Sequence, residues 1–186
     1  MKKFKNIEVM MSKLINEEKK YKGPRFDVVR KTYEREDGVK IIRDIVNPGD
    51  AAVILPITDN NEVVFEKQYR ESVEKVCLEL PAGMIENGEE PIDTAKRELE
   101  EETGIIAKKL EHMITIYPST GYTSEKVHIF LAKDFEEGKV HLDSTEEIID
   151  VVKIPIEQCI EDAKNGKLEN SSQLIAILLY KEKYMN

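Results

Sequence analysis

The chain has 186 residues, of which 40% are hydrophobic and 35% charged, and its formal net charge is -9. This length suffices for one compact domain with a sizeable core and a small appendage. The negative charge argues against nucleic acid or an anionic membrane as a partner. No apolar run is long enough to cross a bilayer, and the basic N-terminus lacks the apolar segment of a signal peptide. Cys77 and Cys159 lack metal-ligand spacing and indicate buried thiols, so we expect a soluble, cytoplasmic protein.

Alternating apolar residues bounded by turn residues predict eight strands, at 26–33, 39–46, 51–57, 62–69, 77–80, 107–117, 126–132 and 148–154. Helical periodicity predicts three helices, at 89–103, 155–165 and 171–183. Strands in runs, with helices between and after them, favour an α+β or mixed α/β sandwich over a doubly wound parallel sheet. The Pro-Gly break at residues 48–49 predicts a small β-rich appendage over 1–48 and a main domain over 49–186.

The first predicted helix has recognisable ends. Asn87 is a candidate N-cap with Glu90 three residues later, and Pro91 falls in the first turn, where its missing N–H costs little. Gly104 supplies the C-terminal stop. The apolar face of the helix consists of Ile92, Ala95 and Leu99.

The charge of the last turns of this helix is unfavourable. Glu98, Glu100, Glu101 and Glu102 lie at the negative end of the helix dipole, where each carboxylate loses the ~0.3–1 kcal/mol that a cation would gain. Repulsion at i,i+3 and i,i+4 adds a few tenths of a kcal/mol per pair. One interpretation is a solvated acidic face. The other is a metal site, because positions 98, 101 and 102 share about a third of the helix circumference and oxygen ligands suit Mg²⁺ or Mn²⁺.

The register around this helix favours the metal site. The segment resembles the Nudix box at every defined position, which reads here Gly83-x5-Glu89-x7-Arg97-Glu98-Leu99-x-Glu101-Glu102-x-Gly104-Ile105. The resemblance implies a loop–helix–loop metal site in an α/β/α sandwich that hydrolyses a nucleoside diphosphate linked to another group.

The roles of individual residues follow from the same resemblance. It implies metal ligation by the backbone carbonyl of Ala82 and by Glu98, Glu101 and Glu102. Arg97 would orient the glutamates through ion pairs, one of them with Glu101 at i,i+4, and Glu89 would pair with Arg97 as a structural member. Gly83 would let the backbone turn close to the ions, because it has no Cβ.

Segments outside the box resemble the ADP-ribose pyrophosphatase branch of this family, namely residues 68–70, 79–83, 118–125 and 164–170. The resemblance implies hydrolysis of ADP-ribose to AMP and ribose 5-phosphate. It implies substrate contacts by Arg70, which would hold the diphosphate with a planar fork, and by Glu79, Arg43 and Glu125. The appendage is commonly exchanged between subunits in this branch, so a homodimer is implied, with Arg43 acting across its interface.

The resemblance leaves the general base open within residues 141–148. One alignment places Glu146 at the base position, and another places Ser144 there and leaves Glu146 as a metal ligand. Serine is a poor base at neutral pH, so we predict Glu146, with Glu147 second and Glu101 or metal-bound hydroxide as further candidates. The scattered histidines, His112, His128 and His141, are predicted to be isolated and non-catalytic. Rival functions are hydrolysis of NADH, another ADP-sugar or a dinucleoside polyphosphate, and a non-catalytic ADP-ribose sensor.

Overall fold

The computed structural model describes residues 12–140 and 148–185, which divide into two compact units. Residues 12–49 and 119–125 form the first unit, and the other described residues, from position 50 onward, form the second. The main segment of the first unit ends beside the Pro-Gly break. Residues 119–125 join that unit from a distant part of the chain, which composition alone did not indicate.

The first unit contains a three-stranded antiparallel sheet of order β1-β2-β3, built from β1 (Lys13–Lys22), β2 (Asp27–Glu34) and β3 (Lys40–Asn47). Strands β2 and β3 match two of the predicted strands, whereas β1 was not predicted. Its sequence, KLINEEKKYK, is dominated by charged residues, and every residue of the strand is exposed. Neither face of β1 is buried, so its sequence does not need to alternate between apolar and polar residues, and the pattern used to predict strands is absent.

The second unit contains two sheets. A four-stranded mixed sheet has the order β7-β4-β9-β8, with β4 (Ala51–Pro56) parallel to β9 (Val127–Glu137) and antiparallel to β7 (Ala82–Met84), and with β8 (Ile105–Ile116) at the edge. An antiparallel sheet has the order β10-β5-β6, formed by β10 (Ile148–Pro155), β5 (Glu62–Arg70) and β6 (Lys75–Glu79). Strand β4 reads AAVILP and is buried over most of its length, as expected of a strand covered on both faces.

The described residues form three helices: α1 (Pro91–Thr103) and α3 (Ser171–Tyr184), which pack against the mixed sheet, and α2 (Ile156–Lys164), which packs against β5 and β10 of the antiparallel sheet. Leu99 of α1 packs with Ile54 and Phe130 on one face of the sheet. On the other face, side chains of β4, β5 and β9 pack with α2 and α3 around Phe65 and Ile177. The second unit is therefore an α/β/α sandwich, which confirms the predicted fold class. No helix among the described residues is long and apolar enough to cross a membrane.

The start of α1 differs from the sequence prediction. Glu90 occupies the N-cap and makes no side-chain capping bond, and Pro91 is the first helical residue. Asn87 was the wrong N-cap, because Gly88 has a φ of 88° and closes a turn in which Glu89 N donates to Glu86 O at 3.0 Å. The end of the helix is as predicted, since Gly104 adopts the left-handed conformation and donates its N–H to Glu100 O.

Candidate active site

Helix α1 buries two of its carboxylates along with its apolar face. Glu98 is 5% exposed and Glu102 is 4% exposed, on the same side of the helix as Ala95 and Leu99. The side chain of Glu101 is about a third exposed. Buried carboxylates are costly unless they are paired or bound to a cation. The acidic helix end is therefore not merely a solvated face.

The short strand β7 receives these carboxylates. Ala82 N donates to Glu102 Oε2 at 2.9 Å, so this carboxylate is fixed to the backbone. Glu98 lies over Gly83 so closely that a Cβ at position 83 would be 1.8 Å from Glu98 Oε1. Only a residue without a side chain permits this approach. A close approach to the backbone at Gly83 was predicted, and the structure shows one, made by the carboxylate of Glu98.

Arg97 links the acidic groups around α1. Its guanidinium donates to Glu98 Oε1 at 2.7 Å and to Glu101 Oε2 at 3.0 Å, and it contacts both oxygens of Glu89 at 3.2 Å. These bonds include the expected pairs with Glu89 and Glu101. The hydrogen bond from Arg97 is the main cause that lowers the pKa of Glu89 to about 2. Hydrogen bonds from Glu89, Glu101 and Glu98 in turn raise the pKa of Arg97, which stays charged.

A second arginine–carboxylate pair lies at the end of β5. Arg70 Nη2 donates to Glu79 Oε2 at 2.6 Å, and Nε is 3.2 Å from both oxygens of Glu79. The bonds use Nε and Nη2, so the edge of the guanidinium that carries Nη1 points away from Glu79. The hydrogen bond with Glu79 raises the pKa of Arg70, and the charges of Glu66 and Glu102 add to the shift. Arg70 and Glu79, predicted separately as substrate-binding residues, are therefore direct partners.

Glu66 is a buried glutamate that was not among the predicted site residues. This residue lies on β5 opposite Glu79 of β6, on the same face of the strand as Arg70, and is 1% exposed. Arg70 pairs in register with Lys75, so its side chain must run back along the sheet to reach Glu79 and the neighbouring Glu66. The available signal was a glutamate directly after the apolar run Val63–Phe65, at a position where burial was expected.

The remaining predicted site residues lie in the first unit or outside the described residues. Arg43 lies on β3 in the first unit, where its Nη1 donates to Ile42 O at 2.9 Å. Glu125 also belongs to the first unit, and its N–H donates to Thr123 Oγ1 at 3.1 Å. Glu146 and Glu147, the predicted bases, lie outside the described residues.

The donor chemistry of the cluster fits a hard divalent cation. Six carboxylates (Glu66, Glu79, Glu89, Glu98, Glu101 and Glu102) accompany two guanidinium groups, so the ionised site has an excess of negative charge. Among the described residues, no three acidic, histidine or cysteine side chains are yet arranged as a ligand set. The reason is visible in the contacts. Glu98 and Glu101 are turned towards Arg97, and Glu102 towards Ala82 N.

Comparisons with known proteins identify the family of the chain. The chain is 35% identical to the ADP-ribose pyrophosphatase of Bacillus subtilis (strain 168), over 92% of this chain and 93% of that protein. It is 34% identical to the methanol dehydrogenase activator of Bacillus methanolicus, over 77% and 78% of the two chains. The crystal structure of an ADP compounds hydrolase shares the fold with a TM-score of 0.82 and 24% identity, over 92% of each chain. Residues 47–174 match the NUDIX domain, so the chain belongs to the Nudix family.

Proposed function

We propose that this chain is a metal-dependent hydrolase that cleaves the diphosphate of an ADP-sugar, and that it converts ADP-ribose to AMP and ribose 5-phosphate. Relatives named ADP-ribose pyrophosphatase support the substrate, including the Bacillus subtilis protein, which matches along nearly the whole chain. The observation that carries the proposal is the burial of Glu98 and Glu102 against the Ala82–Gly83 backbone. Burial of carboxylates is costly, and cation binding gives this burial a function.

The residues that would hold the cation are the carboxylates of α1. ADP-ribose pyrophosphatases of this family depend on divalent metals in general, and we propose Mg²⁺, with Mn²⁺ as a substitute, because every donor is oxygen. Glu98, Glu101, Glu102 and the Ala82 carbonyl would bind it, together with Glu146. When bound, the ion polarises a phosphoryl oxygen and lowers the pKa of an attacking water.

The two arginines have separate tasks in this proposal. Arg70 uses its Nη1 edge to bind the diphosphate, while Glu79 holds the opposite edge and so fixes the plane of the fork. Glu79 is thus a positioning residue. Arg97 keeps Glu98 and Glu101 aligned before the cation arrives. Glu146 accepts the proton of the attacking water, and Arg43 and Glu125 contact the rest of the substrate.

The test is an assay of ADP-ribose hydrolysis in Mg²⁺ with wild type, Glu98→Gln and Glu102→Gln. Loss of a metal ligand is expected to reduce kcat by about 10²–10⁴-fold. Glu100→Gln is the matched control, because position 100 lies on the same helix but is not a defined position of the box. Comparable activity in all four proteins would refute the metal site. Faster turnover of NADH, another ADP-sugar or a dinucleoside polyphosphate would show that this compound, and not ADP-ribose, is the preferred substrate. Binding of ADP-ribose without turnover would favour a sensor.

We also propose a homodimer that forms through the first unit. Its sheet exposes large apolar side chains, among them Leu14, Ile15, Tyr21, Phe26 and Ile42. Exposed apolar side chains of this kind are available for contact with a second copy of the chain. Light scattering should find a dimer for wild type and a monomer for Ile42→Lys. Ile149→Lys, an equally exposed isoleucine of the second unit, should stay dimeric. A monomeric wild type contradicts the proposal.

The proposed compartment is the cytoplasm. Cys77 and Cys159 are both free thiols, which a reducing compartment maintains. Fractionation of cells that express the full chain should recover the protein with cytoplasmic markers, and recovery outside the cytoplasm would contradict this assignment.

A further inference from the structure

Two histidines that are distant in sequence meet on the mixed sheet. His112 lies on β8 and His128 on β9, and their ring centroids are 6.3 Å apart. The pairing of β8 with β9 is irregular between His112 and Ile114. Met113 and Ile114 pack into the core on one face, so the irregularity turns His112 and Thr115 together towards the other face. The expectation that these histidines are isolated is therefore wrong.

The two imidazole rings converge on one atom. His112 Nε2 is 2.9 Å from Thr115 Oγ1, and His128 Nδ1 is 3.0 Å from the same oxygen. A hydroxyl has one proton, so it donates to one ring and accepts from the other. Both ring nitrogens consequently point at Thr115 Oγ1, and an ion shared by the two rings would take the position of that oxygen.

The surroundings hold each ring in this orientation. The edge of His112 packs on Phe130, with a centroid distance of 5.5 Å and an interplanar angle of 69°. The second nitrogen of His128, Nε2, is 3.9 Å from Asp50 Oδ2, and Asp50 Oδ1 accepts from Lys126 N. A metal-binding histidine usually donates its second N–H to an acceptor, and Asp50 is the carboxylate beside that nitrogen, at a distance longer than a hydrogen bond. Burial lowers the pKa of His128.

We propose that His112 Nε2 and His128 Nδ1 form a binding site for a borderline divalent transition-metal ion such as Zn²⁺, distinct from the carboxylate cluster of α1. Imidazole nitrogen favours Zn²⁺, Ni²⁺ and Cu²⁺, whereas the carboxylates of α1 favour Mg²⁺. Each ring needs to approach the shared point by about 1 Å to reach the ~2.0–2.1 Å of a zinc–nitrogen bond. The ion takes the place of Thr115 Oγ1, whose side chain rotates away, and water completes the coordination.

Calorimetric titration with Zn²⁺, in an excess of Mg²⁺ that occupies the carboxylate cluster, tests this site. Wild type should bind one Zn²⁺ per chain, and His112→Ala and His128→Ala should each weaken binding by at least about tenfold. His141→Ala is the control for the loss of a histidine and should bind as wild type does. Equal Zn²⁺ binding by all four proteins would overturn the proposal.

Electron paramagnetic resonance of bound Cu²⁺ gives an independent measurement, because coupling to ¹⁴N counts the coordinating imidazoles. We expect two nitrogens in wild type and one in each site variant. A wild-type spectrum without nitrogen coupling would also overturn the proposal. If His128→Ala fails to fold, the measurements on His112→Ala decide the outcome alone, because His112 is exposed and its substitution should leave the fold intact. The test is independent of ADP-ribose hydrolysis.

Discussion

The two units of the chain differ in how many side chains they bury. In the first unit, Val29 is the only buried residue among those described, and large apolar residues such as Tyr21 and Ile42 are exposed. In the second unit, apolar clusters fill both faces of the mixed sheet. The carboxylates of α1 belong to the second unit, where packing fixes the helix. Geometry accurate enough for the proposed cation binding requires such a rigid support.

The largest expected effect is a loss of activity on substitution of Gly83, where the neighbouring Glu98 leaves no room for a side chain. A methyl group at this position would meet Glu98 Oε1 at 1.8 Å, so Gly83→Ala must displace the carboxylate from the site. We expect Gly83→Ala to lower kcat for ADP-ribose by about 10³-fold, equivalent to about 4 kcal/mol of transition-state stabilisation. Kinetics at saturating Mg²⁺ measure this loss.

The control for this substitution is Gly121→Ala in the first unit, where a Cβ would have nothing within 4 Å. Its kcat should stay near that of wild type. If Gly83→Ala keeps wild-type activity, the close approach of Glu98 to the backbone has no part in catalysis, and the contrast between the units loses its functional meaning.

The α1 site was predictable from sequence because its chemistry is encoded at fixed offsets on one helix. Glu98, Glu101 and Glu102 follow each other with helical spacing, and Arg97 precedes them. Arg97 and Glu89, which form an ion pair, are only eight residues apart, because Glu89 lies just before the start of the same helix. Contacts between distant strands carry no such local signal. The Arg70–Glu79 bond was missed because it depends on the register of β5 with β6, and the position of Glu66 depends on the same register.

The fold was predictable where a strand or helix has one buried face. The alternation along 62–69 located β5 almost to the residue. Strand β1 was not predicted, because all its residues are exposed and its sequence shows no apolar alternation. Strand β7 was not predicted, because a strand of three residues is too short to show a periodic pattern. The contact between His112 and His128 could not be predicted from sequence either, because it depends on an irregularity in the pairing of β8 with β9.

The next largest effect compares the cores of the two units directly. Leu99 is fully buried in the second unit, so Leu99→Ala should reduce the free energy of unfolding by about 3 kcal/mol. Val29 is the buried residue of the first unit and has fewer apolar neighbours, so Val29→Ala should cost about 1 kcal/mol. Urea unfolding followed by circular dichroism gives both values. Equal losses would mean that the first unit is as well packed as the second.

A smaller effect tests the charges around Arg70 within the second unit. Arg70 lies beside Glu79 and Glu66, so Arg70→Met leaves like charges opposite each other on β5 and β6 and should destabilise the fold by about 2 kcal/mol. In a Glu66→Gln background the same change should cost about 1 kcal/mol less. A double-mutant cycle from urea midpoints measures the difference. Strict additivity would show that Glu66 and Arg70 do not interact.

The smallest expected effect is a pH dependence at Glu89, which Arg97 holds in place. The pKa of Glu89 is lowered to about 2 from an ordinary value of 4.5, so its pairing stabilises the fold fully above pH 4.5. This contribution fades as the pH falls towards 2, because the protonated carboxyl cannot pair with Arg97. Partial exposure to solvent reduces it to about 1 kcal/mol.

Urea unfolding of wild type and Glu89→Gln at several pH values isolates this contribution. The stability difference between the two proteins should be constant from pH 7 to about pH 5 and should shrink at lower pH. Glu86→Gln is the control, because the side chain at this exposed neighbouring position makes no hydrogen bond among the described residues. A difference that persists at pH 2–3 would show that Glu89 acts through packing rather than charge. Arg97 would then depend on Glu98 and Glu101 alone for its orientation, and removing Glu89 should leave the Mg²⁺ dependence of turnover unchanged.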